Sequence, residues 1–218
     1  MIEGIVFDMD GVLIDSHPIH RRAWRKFLAT VGTNVGEEEL GFILEGRRRE
    51  EILRHFLGDL PDSKIAEYGH QKDQFFEEHF GDVRLIPGVR QFLETLEVAG
   101  LKAAIATSAS SVRTWGTLRR LELDKKFTTV VTGDDVDAGK PDPAVYELAS
   151  KRMNLIPQKL LVLEDALCGV QAAKSAGMRC VGVSTNGRAE MLRQCGAEFV
   201  IPDFLDESIE KLLQLTRH

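Results

Sequence analysis

Along the chain the spacing of hydrophobic positions changes character twice. Ile2, Ile5, Val6 and Phe7 make a short apolar run, β-branched and aromatic, closed by Asp8, Asp10 and Gly11. It is too short for a helix and predicts a strand buried on both faces. From Ser16 the spacing turns helical. Ser16 can cap a helix that takes Pro18 in its first turn, and Ile19, Ala23, Trp24, Phe27, Leu28 and Val31 recur on one face until Gly32. Residues 37–44, 48–57 and 62–80 predict three further helices with charged outer faces, and no convincing strand interrupts them. After Pro87 strands and helices alternate. The pattern predicts a helix over 88–99, a strand over 102–106, a helix over 112–121 and a strand over 128–131. Gly139-Lys140-Pro141-Asp142-Pro143 then opens a helix that runs to Met153. A strand over 160–163 leads into a helix ending at Ala176, with Gly177 behind it. Strands over 179–183 and 199–201 and a closing helix over 208–215 complete the chain.

Strands separated by helices predict an α/β fold with a doubly wound parallel sheet of Rossmann-like type. The all-helical block sits directly after the first strand. It predicts a small inserted cap: residues 1–15 and 86–218 form the α/β core, 16–85 the helical cap, and 14–18 and 84–87 the hinges. No internal repeat or low-complexity linker divides the chain.

Composition narrows the functional class. A net charge of −6 with scattered Lys and Arg gives no patch for nucleic acid or an anionic membrane. No apolar run approaches a membrane span, and Asp8 and Asp10 interrupt the only run that could resemble a signal peptide. Cys168, Cys180 and Cys195 show no CxxC spacing and predict buried small hydrophobes in a reducing compartment. The expectation is a cytoplasmic enzyme acting on a small molecule, of oligomeric state the sequence does not reveal.

The acids after the first strand carry the chemistry. Residues i and i+2 leave an extended chain on the same side, so Asp8 and Asp10 can face one pocket at the carboxyl edge of the sheet. Two such anions repel unless a cation or a shared proton lies between them. Asp-Gly is also ordinary turn chemistry, so the pair by itself also fits an acidic turn. Polar residues recur at other strand ends: Ser108, Lys140, and Glu164 with Asp165.

Together these motifs resemble the haloacid dehalogenase superfamily of phosphotransferases across essentially the whole chain. Asp8-Met9-Asp10-Gly11-Val12-Leu13 resembles its first motif, Ser108 its second, Lys140 in GKPDP its third. Leu163-Glu164-Asp165 with Gly169 and 172–177 resembles the fourth. The helical insert after the first motif resembles the small cap of the β-phosphoglucomutase-like subgroup, which holds sugar-phosphate phosphatases and hexose-phosphate mutases.

Phosphoryl transfer asks for a nucleophile, a proton donor and positive charge around the moving phosphate. Asp8 can attack phosphorus and form an aspartyl phosphate. Mg²⁺ suits an oxygen site made from Asp8, Asp165 and the backbone carbonyl near Asp10, with Glu164 as an alternative ligand or a supporting group. Lys140 neutralises Asp8 and phosphate, Ser108 donates to a phosphoryl oxygen, and the backbone after it, at Ala109, can assist. Asp10 serves as general acid and base. Taken singly, Ser108 can cap the following helix, with Thr107 as the phosphate contact in its place; Lys140 can be a solvated residue before a proline-started helix; and Asp165 can be an N-cap. The resemblance places a second set of substrate contacts on the cap: His20 beside Trp24, Gly46, Arg49 and Lys72. There the mutases tend to carry a lysine before the glycine, whereas this chain has Glu45. The resulting expectation is a Mg²⁺-dependent phosphatase for a small phosphorylated metabolite, a sugar phosphate. A hexose-phosphate mutase is the alternative, and a non-catalytic binding module on the same scaffold is a rival of another class.

Overall fold

The computed structural model describes residues 1–185 and 187–214. The chain starts with β1 (Gly4–Phe7) and β2 (Ile14–Asp15). Four helices follow: α1 (His17–Thr30), α2 (Leu40–Ile43), α3 (Arg49–Leu57) and α4 (Asp62–Glu77). Next come β3 (Arg84–Leu85), α5 (Val89–Val98), β4 (Lys102–Ala106), α6 (Ser111–Arg120), β5 (Thr129–Val131) and α7 (Ala144–Met153). The remainder is β6 (Leu160–Glu164), α8 (Leu167–Ser175), β7 (Arg179–Val183), α9 (Ala189–Cys195), β8 (Val200–Ile201) and α10 (Ser208–Gln214). Six strands form one parallel sheet in the order β5-β4-β1-β6-β7-β8. The strand order reverses at β1, which puts its carboxyl end at the crevice where open α/β sheets take ligands.

The first apolar run is the sheet's centre for a packing reason. Ile5 and Phe7 face the layer that contains α5, and Val6 faces the layer that contains α7 and α8; all three are fully buried. Phe7 meets the rings of Phe92, Phe127 and Phe204 at centroid distances of 6.1, 5.8 and 6.3 Å. Burying a side chain of this size stabilises by roughly 1.5–3 kcal/mol. The cap has its own core, with Trp24, Phe27, Leu28, Leu40, Ile52, Leu53 and Ile65 buried together.

The structure departs from the sequence expectations at several elements. The helix expected over 37–44 shortens to the single turn α2, with the Glu39 carboxylate ahead of it accepting the N–H of Gly36 at 2.7 Å. α4 stops at Glu77, and a 3₁₀ turn follows at Phe80–Asp82. The two hinges are not free segments: Ile14 pairs with Leu85 and Asp15 with Arg84 as a small antiparallel ribbon. α9 was not expected; its seven residues bury Leu192 alone, too little for a helical period to register. The closing helix is described to Gln214, and Leu215 lies outside the described residues. No described helix is long and apolar enough to cross a membrane.

Candidate active site

β1, β4 and β6 deliver Asp8, Thr107–Ser108 and Glu164–Asp165 to one edge of the sheet, and Lys140 reaches the same place from the loop before α7. Lys140 is buried. Its Nζ donates to Asp8 Oδ1 and to Glu164 Oε1, both at 2.6 Å. Glu164 accepts from four donors: Lys140, the Tyr146 hydroxyl at 2.8 Å, and the backbone N–H groups of Asp165 and Ala166 at 2.9 Å each. Gly169 on α8 leaves the room, since a Cβ there would stand 1.8 Å from Glu164 Oε1.

Asp8, Glu164 and Asp165 each bring a carboxylate oxygen within 4.8 Å of the others. Burial pushes Asp8 well above the usual carboxylate range, and Glu164, Asp165 and Asp10 push the same way against Lys140. Burial also raises Asp165, although His17 works against it. Asp165 Oδ2 is buried without a well-aligned hydrogen bond, and its neighbour is His17 Nε2 at 3.2 Å. Gly11, at φ +80°, lets the chain pass close by: a Cβ there would lie 2.3 Å from that oxygen. Hard oxygen donors, crowded and underneutralised, with one buried oxygen orphaned, fit a divalent cation such as Mg²⁺. Glu164 lies within reach of this group but spends its lone pairs on Lys140, Tyr146 and the backbone.

Asp10 turns its carboxylate elsewhere. Oδ1 accepts from Ser16 Oγ at 2.6 Å and from Arg113 Nη1 at 2.9 Å, and lies 3.2 Å from His20 Nε2; Oδ2 accepts from Arg113 Nη2 at 2.5 Å. Among the described residues its carboxylate does not join the group of Asp8, Glu164 and Asp165, contrary to the expectation of Asp10 as a side-chain metal ligand. Burial alone would raise Asp10, but Arg113 and then His20 outweigh it and hold it well below the ordinary value. His20, its ring tilted 31° against that of Phe76 at a centroid distance of 4.6 Å, is pushed down to about 3 by burial and by Lys72, and is therefore neutral at pH 7. Ser16, expected as a side-chain cap of α1, makes no capping bond; its hydroxyl serves Asp10 instead.

Ser108 faces the pocket and donates to the carbonyl of Gly46 on the cap at 2.6 Å. Thr107 is buried and its hydroxyl accepts from the N–H of Ala109 at 3.1 Å, while Ser110 caps α6. Both hydroxyls thus lie at the pocket, Ser108 donating and Thr107 accepting, and neither Ser108 nor Asp165 is the helix cap. On the cap wall His20, Trp24, Gly46, Arg49 and Lys72 line the same pocket as Asp8. Pairings that the sequence pattern did not reveal complete the site: Arg113 with Asp10, His17 with Asp165, Tyr146 with Glu164, and Asp73 with Lys72 and Arg49.

Residues 5–183 match the haloacid dehalogenase-like hydrolase family. The chain belongs to that family. Its similarity to individual members is also extensive. A phosphorylated carbohydrates phosphatase of Thermotoga maritima is 36% identical over 97% of this chain and 100% of its own length. Hexitol phosphatase A of Escherichia coli is 33% identical over 84% of this chain and 83% of its own. The crystal structure of β-phosphoglucomutase from Clostridium difficile superposes with a TM-score of 0.88 at 25% identity, covering 100% of this chain and 98% of that one. Membership of this hydrolase family and the geometry of Asp8, Lys140 and Asp165 make the chain an enzyme of phosphatase or phosphomutase type rather than a bare binding module.

Proposed function

We propose that the protein is a Mg²⁺-dependent phosphatase that hydrolyses a small phosphorylated metabolite, a sugar phosphate, with Asp8 as nucleophile. The observation that carries the reading is Asp8 itself: a buried carboxylate at the end of β1, tied to Lys140 and crowded by Asp165. Asp8, Asp165 and the backbone of Asp10 would hold Mg²⁺, which supplies charge for an incoming phosphate dianion. Lys140 holds Asp8 in place and balances charge, and Glu164 with Tyr146 anchors Lys140. Ser108 passes its hydrogen bond from the Gly46 carbonyl to a phosphoryl oxygen. Asp10 moves a proton to the leaving oxygen and later from water. The likeness to sugar-phosphate and hexitol phosphatases supports a polyol or sugar as the leaving group.

A hexose-phosphate mutase is the second reading, favoured by His20 on Asp10 and by Arg49 and Lys72 in the pocket. ³¹P NMR on β-glucose 1-phosphate with a trace of the 1,6-bisphosphate separates the two. Net release of phosphate supports the phosphatase; stoichiometric glucose 6-phosphate with little free phosphate supports the mutase.

A further inference from the structure

Of the three cap cations that line the pocket, Arg47 faces Glu51 at 3.4 Å, while Lys72 and Arg49 share one carboxylate. Lys72 Nζ lies 3.0 Å from Asp73 Oδ1, and Arg49 Nη1 lies 3.4 Å from Asp73 Oδ2. Lys72 is buried, with its ammonium 5.4 Å from the Trp24 ring and 5.5 Å from the Phe76 ring. It has little freedom to turn to another partner. Arg49 lies across α4 at Gly69, where a Cβ would come within 3.0 Å of its Cδ and Nε. Asp73, one turn further along α4, lines the pocket with 24% of its side chain exposed. Burial would raise its pKa, but Lys72, Arg113 and Arg49 overcome this and keep it ionised.

A second anionic group on the substrate, drawn to Lys72 and Arg49, would therefore meet a carboxylate seated between them. Sugar hydroxyls meet the opposite welcome, because an ionised carboxylate offers only acceptors. Discrimination by a built-in repulsion is a common route to specificity. We propose that Asp73 is the specificity-determining residue of this pocket: it admits a phosphomonoester whose far end is a neutral polyol and rejects one that carries a second anion. The inference rests on the phosphatase reading and narrows its substrate class.

The test uses a matched pair, glucitol 6-phosphate and 6-phosphogluconate, which differ at the far end by a hydroxymethyl group against a carboxylate. Wild-type enzyme is expected to favour glucitol 6-phosphate in kcat/KM. Asp73→Asn should reduce that ratio by at least about tenfold, and Asp73→Glu, which keeps the charge, should preserve it. An unchanged ratio in Asp73→Asn, or a wild-type preference for 6-phosphogluconate, overturns the proposal. So does a larger loss on 6-phosphogluconate than on glucitol 6-phosphate, because Asp73 would then be orienting the cations for an anion. Calorimetric Kd values for both compounds in an Asp8→Asn background need no turnover. A preference for glucitol 6-phosphate that Asp73→Asn abolishes there supports the role of Asp73 even if neither compound is hydrolysed, a result that faults only the hydrolase reading. No preference there overturns it.

Discussion

Asp10 is engaged by Ser16, by His20 and by both terminal nitrogens of Arg113. A carboxylate so occupied must trade one of these partners for the substrate before it can move a proton. Asp10→Asn keeps the shape and removes the proton acceptor. Turnover of an alkyl phosphate should fall by about 10²–10⁴-fold, and that of p-nitrophenyl phosphate much less, since its leaving group needs little protonation. Steady-state rates on both substrates check this; equal losses would make Asp10 a purely structural residue. At this scale the sequence was partly legible. Asp8, Asp10 and Asp165 follow from one rule, that acids directly after buried strands collect at a sheet edge. Arg113 follows from no local rule, because its partner stands 103 residues away. Its pattern position on α6 is that of an ordinary helical arginine. Asp73 was hidden for a similar reason: nothing in the spacing of α4 distinguishes a pocket-facing acid from a solvated one.

Elements with a buried face were the easiest to read. β1, β4, β6 and β7 are runs of apolar residues, and period and length suffice to place them. The ribbon of β2 and β3 has two residues per strand, too few for any period, and only the fold brings its halves together. α8 shows how an element can serve a site without touching substrate. Its Gly169 sits against Glu164, so Gly169→Ala must displace the carboxylate that anchors Lys140. Overpacking of this kind costs about 1–3 kcal/mol, and denaturant unfolding should show it. Gly116 on α6 is the control. A Cβ there meets nothing within 4 Å, so Gly116→Ala should stabilise the chain by about 0.5–1 kcal/mol. Equal effects at the two glycines would contradict the packing described around Glu164.

At the scale of the whole molecule the cap loop around Gly46 bridges several parts of the core. Glu45 pairs with Arg188 at 2.7 Å, Gly46 accepts from Ser108, and Arg48 donates to the carbonyl of Asp137 at 2.7 Å. Glu77 on α4 also pairs with Arg120 on α6. These contacts tie the helical insert to the core beside Asp8, which is buried. The insertion of helices after β1 was legible from periodicity alone. Its ties to the core were not, since they consist of single polar pairs between segments far apart in the chain. Glu45 illustrates the difference: in sequence it is a departure from the mutase pattern, and in the fold it is the cap's partner for Arg188. The proposed activity is transfer of phosphate from a phosphomonoester through Asp8 with a divalent metal. The most direct measurement is phosphate release from a panel of hexose and hexitol monophosphates by wild-type and Asp8→Ala enzyme, with Mg²⁺, with chelator, and with Mg²⁺ restored. Wild-type enzyme should release phosphate in a way that chelation stops reversibly, and Asp8→Ala, still folded, should release none. Turnover by Asp8→Ala at the wild-type rate would contradict it.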